Sequence, residues 1–151
     1  MFEKDLKLVY IGSDHAGFQM KEQLKPYLEA KGFHVTDLGV FNEEPSDYPD
    51  IGREIGEKVM ENAGSFGIAI CGSGIGICMA VNKVVGVRGV LAVDEKMAEM
   101  SRKHNNANVL CLQGREADVE KNKQIVDKFF GTEFEKDQER HVRRVKKLSE
   151  M

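Results

Sequence analysis

The chain has 151 residues, a length that fits one domain with a substantial hydrophobic core. Hydrophobic residues make up 41% and charged residues 31%, which is typical of an ordinary soluble globular protein. A formal net charge of −3 gives no reason to expect nucleic acid or an anionic membrane as a partner, so an anionic ligand needs a local basic cluster. No apolar run approaches the roughly 20 residues that span a bilayer.

The three cysteines, Cys71, Cys78 and Cys111, lie in apolar stretches and lack the short spacing of metal-binding pairs. An odd, sparse set of cysteines is typical of a protein whose thiols stay reduced. The opening residues 1–5 are too charged for the apolar core of a secretory signal. We therefore predict a cytoplasmic protein without a metal site.

The first part of the chain alternates short apolar runs with amphipathic stretches. The predicted order is strand 7–11, helix 16–31, strand 34–38, loop 39–50 and helix 51–62. Gly12 ends the first strand and Gly32 ends the first helix. Pro26 lies inside that helix and is expected to kink or split it.

The alternation continues to the end of the chain. The predicted order is strand 66–71, a helix from about residue 76, strand 87–93, helix 94–104, strand 109–112, helix 119–130 and a charged helix over 134–148. Asp94 is expected to cap its helix. Short strands that alternate with helices predict a parallel sheet covered on both faces. We therefore predict one doubly wound α/β domain over residues 1–151, with a C-terminal helical arm.

A polar cluster over residues 12–17 follows the first predicted strand. In doubly wound folds, ligands bind outside the carboxyl ends of the strands. Asp14 beside His15 places a carboxylate next to an imidazole, which suits general acid–base chemistry. In a simpler interpretation, Ser13 or Asp14 only caps the next helix.

A glycine-rich turn over residues 71–76, Cys-Gly-Ser-Gly-Ile-Gly, follows the third strand. Glycines let the backbone approach a ligand, and the next helix offers free N–H groups and its positive dipole end. The spacing is not that of a Walker loop or a good dinucleotide fingerprint. A helix start favours the thiolate of Cys71, which could then act as a base or nucleophile. The alternative is a small buried residue, as we interpret Cys78 and Cys111.

Further polar and basic residues lie in the last third of the chain. Residues 101–108 are either a solvated turn that caps a helix or part of a binding site. Arg140 and Arg144 are four residues apart, so on a helix they share one face and can hold a phosphate together. The alternative for this pair is an ordinary charged, solvated face.

In this order the segments resemble the ribose-5-phosphate isomerase B group of the ribose/galactose isomerase family. The matching segments are residues 12–17, 47–49, 71–76, 82–83, 101–105, 108–110 and 140–141. The match extends from about Leu8 to Arg144. The resemblance implies a Rossmann-like fold with a five-stranded sheet, and a homodimer or tetramer whose active sites are shared between subunits. It also implies interconversion of ribose 5-phosphate and ribulose 5-phosphate, in the pentose phosphate pathway, without metal or cofactor.

The resemblance implies the catalytic roles by position. Cys71 would be the base that moves a proton between C2 and C1, and Ser73 would help to hold the enediolate. Asp14 would assist ring opening, and His104 of the neighbouring subunit would act on the ring oxygen. Some members carry a glutamate base a few residues further on, where this chain has Ile77, so the chain fits the cysteine subgroup.

The resemblance also implies a set of substrate-binding residues: His15, Tyr48, Gly72, Gly74, Gly76, Asn105, Arg115, Arg140 and Arg144. The glycine amides would hold the enediolate oxygens, and Tyr48 would bind sugar hydroxyls. His15 and the three arginines would hold the phosphate, and Asn105 would act beside His104. One departure is the segment 134–139, which is more acidic than expected beside a phosphate site.

Two alternative functions remain open from the sequence. The first is isomerisation of another sugar phosphate, such as allose 6-phosphate or galactose 6-phosphate, because pocket depth is not visible in the sequence. The second is a nucleotide- or flavin-binding module without chemistry of its own. That module would leave Cys71, His104 and the Arg140/Arg144 pair without a role.

Overall fold

A computed structural model describes residues 7–151, and these residues form one five-stranded parallel sheet with helices on both faces. The strands are β1 Leu8–Ser13, β2 His34–Asp37, β3 Phe66–Cys71, β4 Gly89–Leu91 and β5 Val109–Gln113. Their order across the sheet is β2-β1-β3-β5-β4, and every neighbouring pair is parallel. The predicted α/β sheet is confirmed, whereas the interpretation of residues 1–5 lies outside the described residues.

Six α-helices connect and flank the strands in the described part of the chain. They are α1 Phe18–Ala30, α2 Tyr48–Glu61, α3 Ile75–Val81, α4 Glu95–Asn105, α5 Val119–Phe130 and α6 Glu139–Ser149. Asp94 and Asp118 cap α4 and α5, each accepting a hydrogen bond from a backbone N–H three residues later. Within residues 7–151, none of the helices combines the length and the apolar character that crossing a membrane requires.

The sheet separates two hydrophobic cores, because successive strand side chains point to opposite faces. Ile68 and Ile70 of β3 pack with residues of α1, α4 and α5. Ala69 and Cys71 pack on the other face with residues of α2 and α3. The Cys71 side chain therefore lies on the α2/α3 face, at the end of a central strand.

The structure corrects the expectation that Pro26 splits the first helix, since α1 runs from Phe18 to Ala30 without a break. Pro26 has no N–H to bond with the carbonyl of Glu22. Pro26 lies on the exposed side of α1, so that carbonyl can bind water instead.

Three predicted boundaries differ from the structure. The helix predicted to begin at Ile51 begins at Tyr48, with Pro49 in its first turn, where a proline removes no intrahelical hydrogen bond. β4 is only three residues long because it pairs with β5 alone, at the edge of the sheet. The last helix begins at Glu139 rather than at residue 134, after a turn held by a hydrogen bond from the Gln138 N–H to the Glu135 carbonyl.

Candidate active site

The carboxyl ends of β1 and β3 bring two predicted segments together. These strands are neighbours, and the order of the sheet reverses between them, since β2 lies beyond β1 and β5 lies beyond β3. Asp14 follows β1, and the backbone N–H of Asp14 donates to the carbonyl of Ile70, one residue before Cys71. The crevice at such a reversal is the usual ligand site of a doubly wound sheet.

Cys71 is the last residue of β3 and is only 4% exposed. Its carbonyl accepts a hydrogen bond from the Gly114 N–H at 2.9 Å, which ties the end of β3 to the segment after β5. All three cysteines are free thiols. Burial raises the pKa of Cys111 well above its ordinary value, so this thiol behaves as the buried apolar residue that the sequence predicted.

The glycine-rich turn after Cys71 leads directly into α3. Gly74 has a positive φ of 78°, a conformation that favours glycine, and a Cβ there would lie 2.6 Å from a methyl group of Leu91. The Ser73 hydroxyl accepts a hydrogen bond from the Ile75 N–H at 3.2 Å. The first N–H groups of a helix have no partner within it, so the start of α3 offers donors to a developing negative charge.

Ile77 stands where the family resemblance implies a glutamate base in some members, and this chain has no carboxylate there. Its side chain is fully buried and lies 3.4 Å from where a Cβ on Gly52 would stand. Ile77 is therefore part of the hydrophobic core between α2 and α3. An isoleucine side chain cannot accept a proton, which leaves Cys71 as the predicted base.

Asp14 and His15 are each held by hydrogen bonds to nearby residues. Asp14 is buried, and its Oδ1 accepts from the Gly17 N–H at 3.1 Å, so Asp14 does cap the short helical turn His15–Gly17. The backbone N–H of Ser46 donates to Nδ1 of the His15 ring at 3.2 Å, and the backbone N–H of His15 donates to the Ser46 hydroxyl at 3.1 Å. In neutral His15 the proton is therefore on Nε2, which can donate to an anion. The sequence reasoning missed Ser46, although it directly precedes the matched segment 47–49.

Two further predicted residues close around the glycine-rich turn. A Cβ on Gly76 would stand 2.7 Å from the ring of Tyr48, so this ring lies against the first turn of α3. A Cβ on Gly72 would stand 3.6 Å from Cδ of Arg115, whose N–H donates to the Gly72 carbonyl at 3.1 Å. We call these residues together the carboxyl-edge cluster: Asp14, His15, Tyr48, residues 71–76 and Arg115.

The remaining predicted residues lie at the opposite edge of the sheet. Helix α4 follows the carboxyl end of β4 and ends just before the first residue of β5, and its 11 residues extend about 16 Å. His104 and Asn105 at the end of α4 therefore lie near the amino ends of the strands. Within one chain, the structure does not bring them to Cys71.

The C-terminal arm packs beside His104. The Glu135 N–H donates to the Lys103 carbonyl at 3.1 Å, and the rings of His104 and His141 stack with centroids 4.4 Å apart. The arm also ends at the amino edge, where the Ser149 hydroxyl contacts the guanidinium of Arg88 at 3.1 Å. We call His104, Asn105, Glu135, Arg140, His141 and Arg144 the amino-edge cluster.

The pKa of His141 lies below its ordinary value, chiefly because burial disfavours the charged ring. His104, Arg140 and Arg144 lower it further, whereas Glu135 opposes them. His141 therefore resists protonation in this basic surrounding. The carboxylate of Glu135 lies 3.6 Å from Nε2 of His141, which gives the acidic segment 134–139 a local partner.

The predicted arginine pair lies exposed on the first turns of α6. Among residues 7–151, neither Arg140 nor Arg144 makes an ion pair with a carboxylate, whereas Arg143 pairs with Glu139 at 2.5 Å. The two guanidinium groups therefore remain available to an anion.

The matching segments 82–83 and 108–110 stabilise the fold through the side chains of Asn82 and Asn108. The Asn82 side chain accepts from the Gly89 N–H at 2.8 Å and donates to the Gly89 carbonyl at 3.1 Å, which fastens the end of α3 to β4. Asn108 similarly accepts from the Arg88 N–H at 2.7 Å. Asn106 has a positive φ of 49° and ends α4, so residues 101–108 do include the predicted helix cap.

Comparisons with known proteins agree with this architecture. The family model described as ribose/galactose isomerase matches residues 9–148. A Mycoplasma genitalium protein named probable ribose-5-phosphate isomerase B is 44% identical over 142 residues, covering 93% of this chain and 92% of that one. The Escherichia coli ribose-5-phosphate isomerase B is 35% identical over 144 residues, covering 95% of each chain.

Solved structures share the fold over nearly the whole chain. A ribose 5-phosphate isomerase from Thermotoga maritima has a TM-score of 0.90 at 42% identity and covers 96% of this chain and 99% of its own. The Mycoplasma genitalium isomerase B with bound ribulose 5-phosphate has a TM-score of 0.89 at 43% identity, with 95% and 94% covered. This chain belongs to the ribose/galactose isomerase family.

Proposed function

We propose that this protein interconverts ribose 5-phosphate and ribulose 5-phosphate through an enediolate, with Cys71 as the base. The observation that carries the proposal is the placement of Cys71 at the end of β3, just before α3, whose first N–H groups have no partner within the helix. Such a reaction needs a base and donors for a developing oxyanion at one place. Membership of the isomerase family supports the same chemistry.

The first step is opening of the sugar ring. We assign it to Asp14 at the carboxyl edge and to His104, with Asn105 beside it on the ring oxygen. One group takes the proton of the anomeric hydroxyl while the other gives a proton to the ring oxygen. The product is the open-chain aldehyde, which the next step requires.

The second step is transfer of a carbon-bound proton. The Cys71 thiolate removes the proton from C2 and returns it to C1, while a proton moves between the two oxygens. The N–H groups around Gly72, Gly74 and Gly76, together with the Ser73 hydroxyl, stabilise the charge on oxygen. Loss of a single such donor typically costs about 100- to 1000-fold in rate.

The phosphate is assigned to basic groups from both clusters. His15 offers Nε2, and Arg115 lies beside the glycine-rich turn. Arg140 and Arg144 provide a pair of guanidinium groups that are suited to phosphate oxygens. Binding this remote group orients the reacting carbons, and Tyr48 holds the sugar hydroxyls.

We further propose that the active site is completed by a second copy of the chain. The two clusters lie at opposite edges of one sheet, so a two-fold dimer can place the amino edge of one subunit at the carboxyl edge of its partner. Exposed apolar side chains lie on α3 and before and within α4: Ile75, Met79, Val93 and Met97. Met79 is 65% exposed, and its burial in a dimer would be favourable. A homodimer, or a tetramer of two dimers, therefore suits this chain.

A cytoplasmic location and a place in the pentose phosphate pathway belong to the same proposal. The free thiols suit a reducing compartment. The pathway follows from the two proposed pentose phosphates.

The test is an isomerase assay on EDTA-treated protein with ribose 5-phosphate, allose 6-phosphate and galactose 6-phosphate in parallel. We expect turnover of ribose 5-phosphate that is abolished in Cys71→Ala, although that variant still binds the sugar phosphate in calorimetry. Cys78→Ala is the matched control, since it removes a half-buried thiol from α3, and it should keep near-normal turnover.

Other outcomes of this assay would change the assignment. Near-normal turnover by Cys71→Ala would remove Cys71 as the base. Turnover of a six-carbon substrate alone would keep the mechanism and change the substrate. Inactivity on all three, with a thermal shift on adding a nucleotide or flavin, would favour the binding-module alternative.

A further inference from the structure

Three side chains that are distant in the sequence meet at the amino edge. His104 ends α4, Glu135 lies in the turn before α6, and His141 lies in the first turn of α6. One ligand atom from each of them lies within 4.8 Å of the other two. The imidazole rings are nearly parallel, at 14° to each other.

The buried His141 ring has a nitrogen without a hydrogen-bond partner in the described chain. His141 is only 6% exposed, and its Nε2 makes no hydrogen bond among the described residues. A buried polar nitrogen without a partner is costly, so most such groups in proteins are satisfied. The Glu135 carboxylate, at 3.6 Å, lies just beyond hydrogen-bonding distance on the same side.

The donor set is that of a transition-metal site. Two imidazole nitrogens and a carboxylate oxygen are the three protein ligands found in many zinc sites, which keep a fourth position open. Bonds of about 2.0–2.1 Å in a tetrahedral site put neighbouring ligand atoms about 3.4 Å apart. Glu135 and His141 already lie close to this spacing, and a turn of the partly exposed His104 side chain would bring a ring nitrogen to the same ion. Imidazole donors select Zn²⁺ or Co²⁺ over Mg²⁺ and Ca²⁺.

We propose that His104, Glu135 and His141 form an inhibitory binding site for Zn²⁺ and similar divalent transition-metal ions. The bound ion occupies a ring nitrogen of His104, so this ring can no longer exchange a proton with the sugar ring oxygen. Arg140 and Arg144 repel a cation, which makes the site weaker than a structural zinc site and the inhibition reversible. The inhibitory effect rests on the proposed function, whereas metal binding itself does not.

The binding arm of the test uses Co²⁺ as the probe, on protein that has been stripped with EDTA and dialysed. We expect visible d–d bands of tetrahedral Co²⁺ without a thiolate charge-transfer band, because the ligands are nitrogen and oxygen. Glu135→Gln and His141→Asn should each weaken Co²⁺ binding at least about tenfold. The control is His34→Asn, which removes an exposed imidazole from β2 and should leave the spectrum unchanged. Circular dichroism checks the fold of each variant, and Glu135→Gln carries the test if His141→Asn does not fold.

The activity arm measures ketose formation directly by absorbance, because Zn²⁺ would also act on coupling enzymes. We expect Zn²⁺ to inhibit the wild-type protein and EDTA to restore its activity. Relative to its own metal-free rate, Glu135→Gln should need at least about tenfold more Zn²⁺ for half inhibition than the wild-type protein.

Several outcomes would overturn the proposal. They are the absence of Co²⁺ binding, a charge-transfer band that disappears in Cys71→Ala, and unchanged binding by Glu135→Gln. Binding without any inhibition of an active enzyme would overturn the inhibitory role. An enzyme that is inactive without metal would instead refute the proposed function, and the cobalt spectrum would still decide the binding site.

Discussion

Lys21 of α1 is fully buried, and its charge is balanced by two carboxylates. Its Nζ lies 2.6 Å from Oδ2 of Asp37, at the end of β2, and 3.1 Å from Glu22. Burial by itself would raise the pKa of Asp37, but hydrogen bonds from Lys21 and Lys25 hold this pKa below its ordinary value of 3.8. The charged form of Asp37 therefore stabilises the fold.

We predict that Asp37→Asn destabilises the protein at pH 7 by about 3 kcal/mol, because it leaves the buried Lys21 ammonium with Glu22 alone. Urea unfolding measures this loss. Lys21→Met removes the buried charge itself and should cost much less. An equal loss in both variants would show that the contacts of the two side chains, and not the charge, matter.

The pH dependence of the same pair has a definite sign. A carboxylate with a lowered pKa contributes its full stability above the ordinary value and loses it as the pH falls through the folded-state pKa. The difference between wild type and Asp37→Asn should therefore be complete above pH 3.8 and shrink below it. A difference that is constant down to pH 2 in urea titrations would contradict this origin.

Arg144 and Arg143 are neighbours with different expected roles. Arg144 makes no ion pair within the described chain, whereas Arg143 pairs with Glu139. We predict that Arg144→Ala raises KM about tenfold or more with little change in kcat, because it removes a charge-assisted bond to the remote phosphate. Arg143→Ala is the matched control and should leave both constants near wild type. An unchanged KM in Arg144→Ala would remove this residue from the phosphate site.

Helices α2 and α3 pack closely at the glycine-rich turn, and this packing positions the side chain of Tyr48. The ring of Tyr48 lies against Gly76 because α2 begins at Tyr48 and packs along α3. Gly76 lies within α3, where alanine can adopt the same helical backbone conformation. Its methyl group, however, would stand 2.7 Å from the Tyr48 ring.

We predict that Gly76→Ala folds but lowers kcat/KM by about tenfold to a hundredfold, since the Tyr48 ring must move away from the sugar site. The control is Gly32→Ala, at a φ of +91° with no heavy atom within 4 Å of the added carbon. Gly32→Ala should lower the free energy of unfolding by about 1–2 kcal/mol and leave the kinetics unchanged. Wild-type kinetics in Gly76→Ala would show that the position of Tyr48 does not matter.

At the scale of the whole molecule, the separation of the two clusters decides how the site is assembled. Cys71 and His104 lie at opposite edges of one sheet, so no single chain joins them. In the two-fold dimer that we propose, each shared site would take Cys71 from one subunit and His104 from the other.

Co-expression of Cys71→Ala and His104→Ala tests this arrangement. Each variant alone should be inactive. In a random mixture, half of the dimers are mixed and each of these holds one intact site, so about a quarter of wild-type activity should return. The whole mixture is measured in the isomerase assay. Mixed dimers that are purified from it through two different affinity tags should show about half of wild-type activity. If both residues acted within one chain, no activity would return.

The strands and helices could be predicted from the sequence because burial on both faces of a parallel sheet leaves continuous apolar runs. The predicted bounds of β3 and α5 coincide with those observed. The predictions failed at Pro26 and at the ends of α2, β4 and α6, where exposure, a first-turn proline and edge pairing override the local pattern.

For this protein, the sequence alone determined the family, the α/β class and the residues of the proposed chemistry, because these depend on motifs and apolar periods that are local in the chain. Only the tertiary structure decided which of those residues meet. It placed Asp14, Tyr48 and Arg115 around the end of β3 and the glycine-rich turn, and it placed His104 and the arginines of α6 at the far edge. It also brought Glu135 to His141, a contact that no spacing indicates. The physical reason is that the direction of α4 along the sheet and the packing of α6 on α4 are set by contacts between residues far apart in the chain.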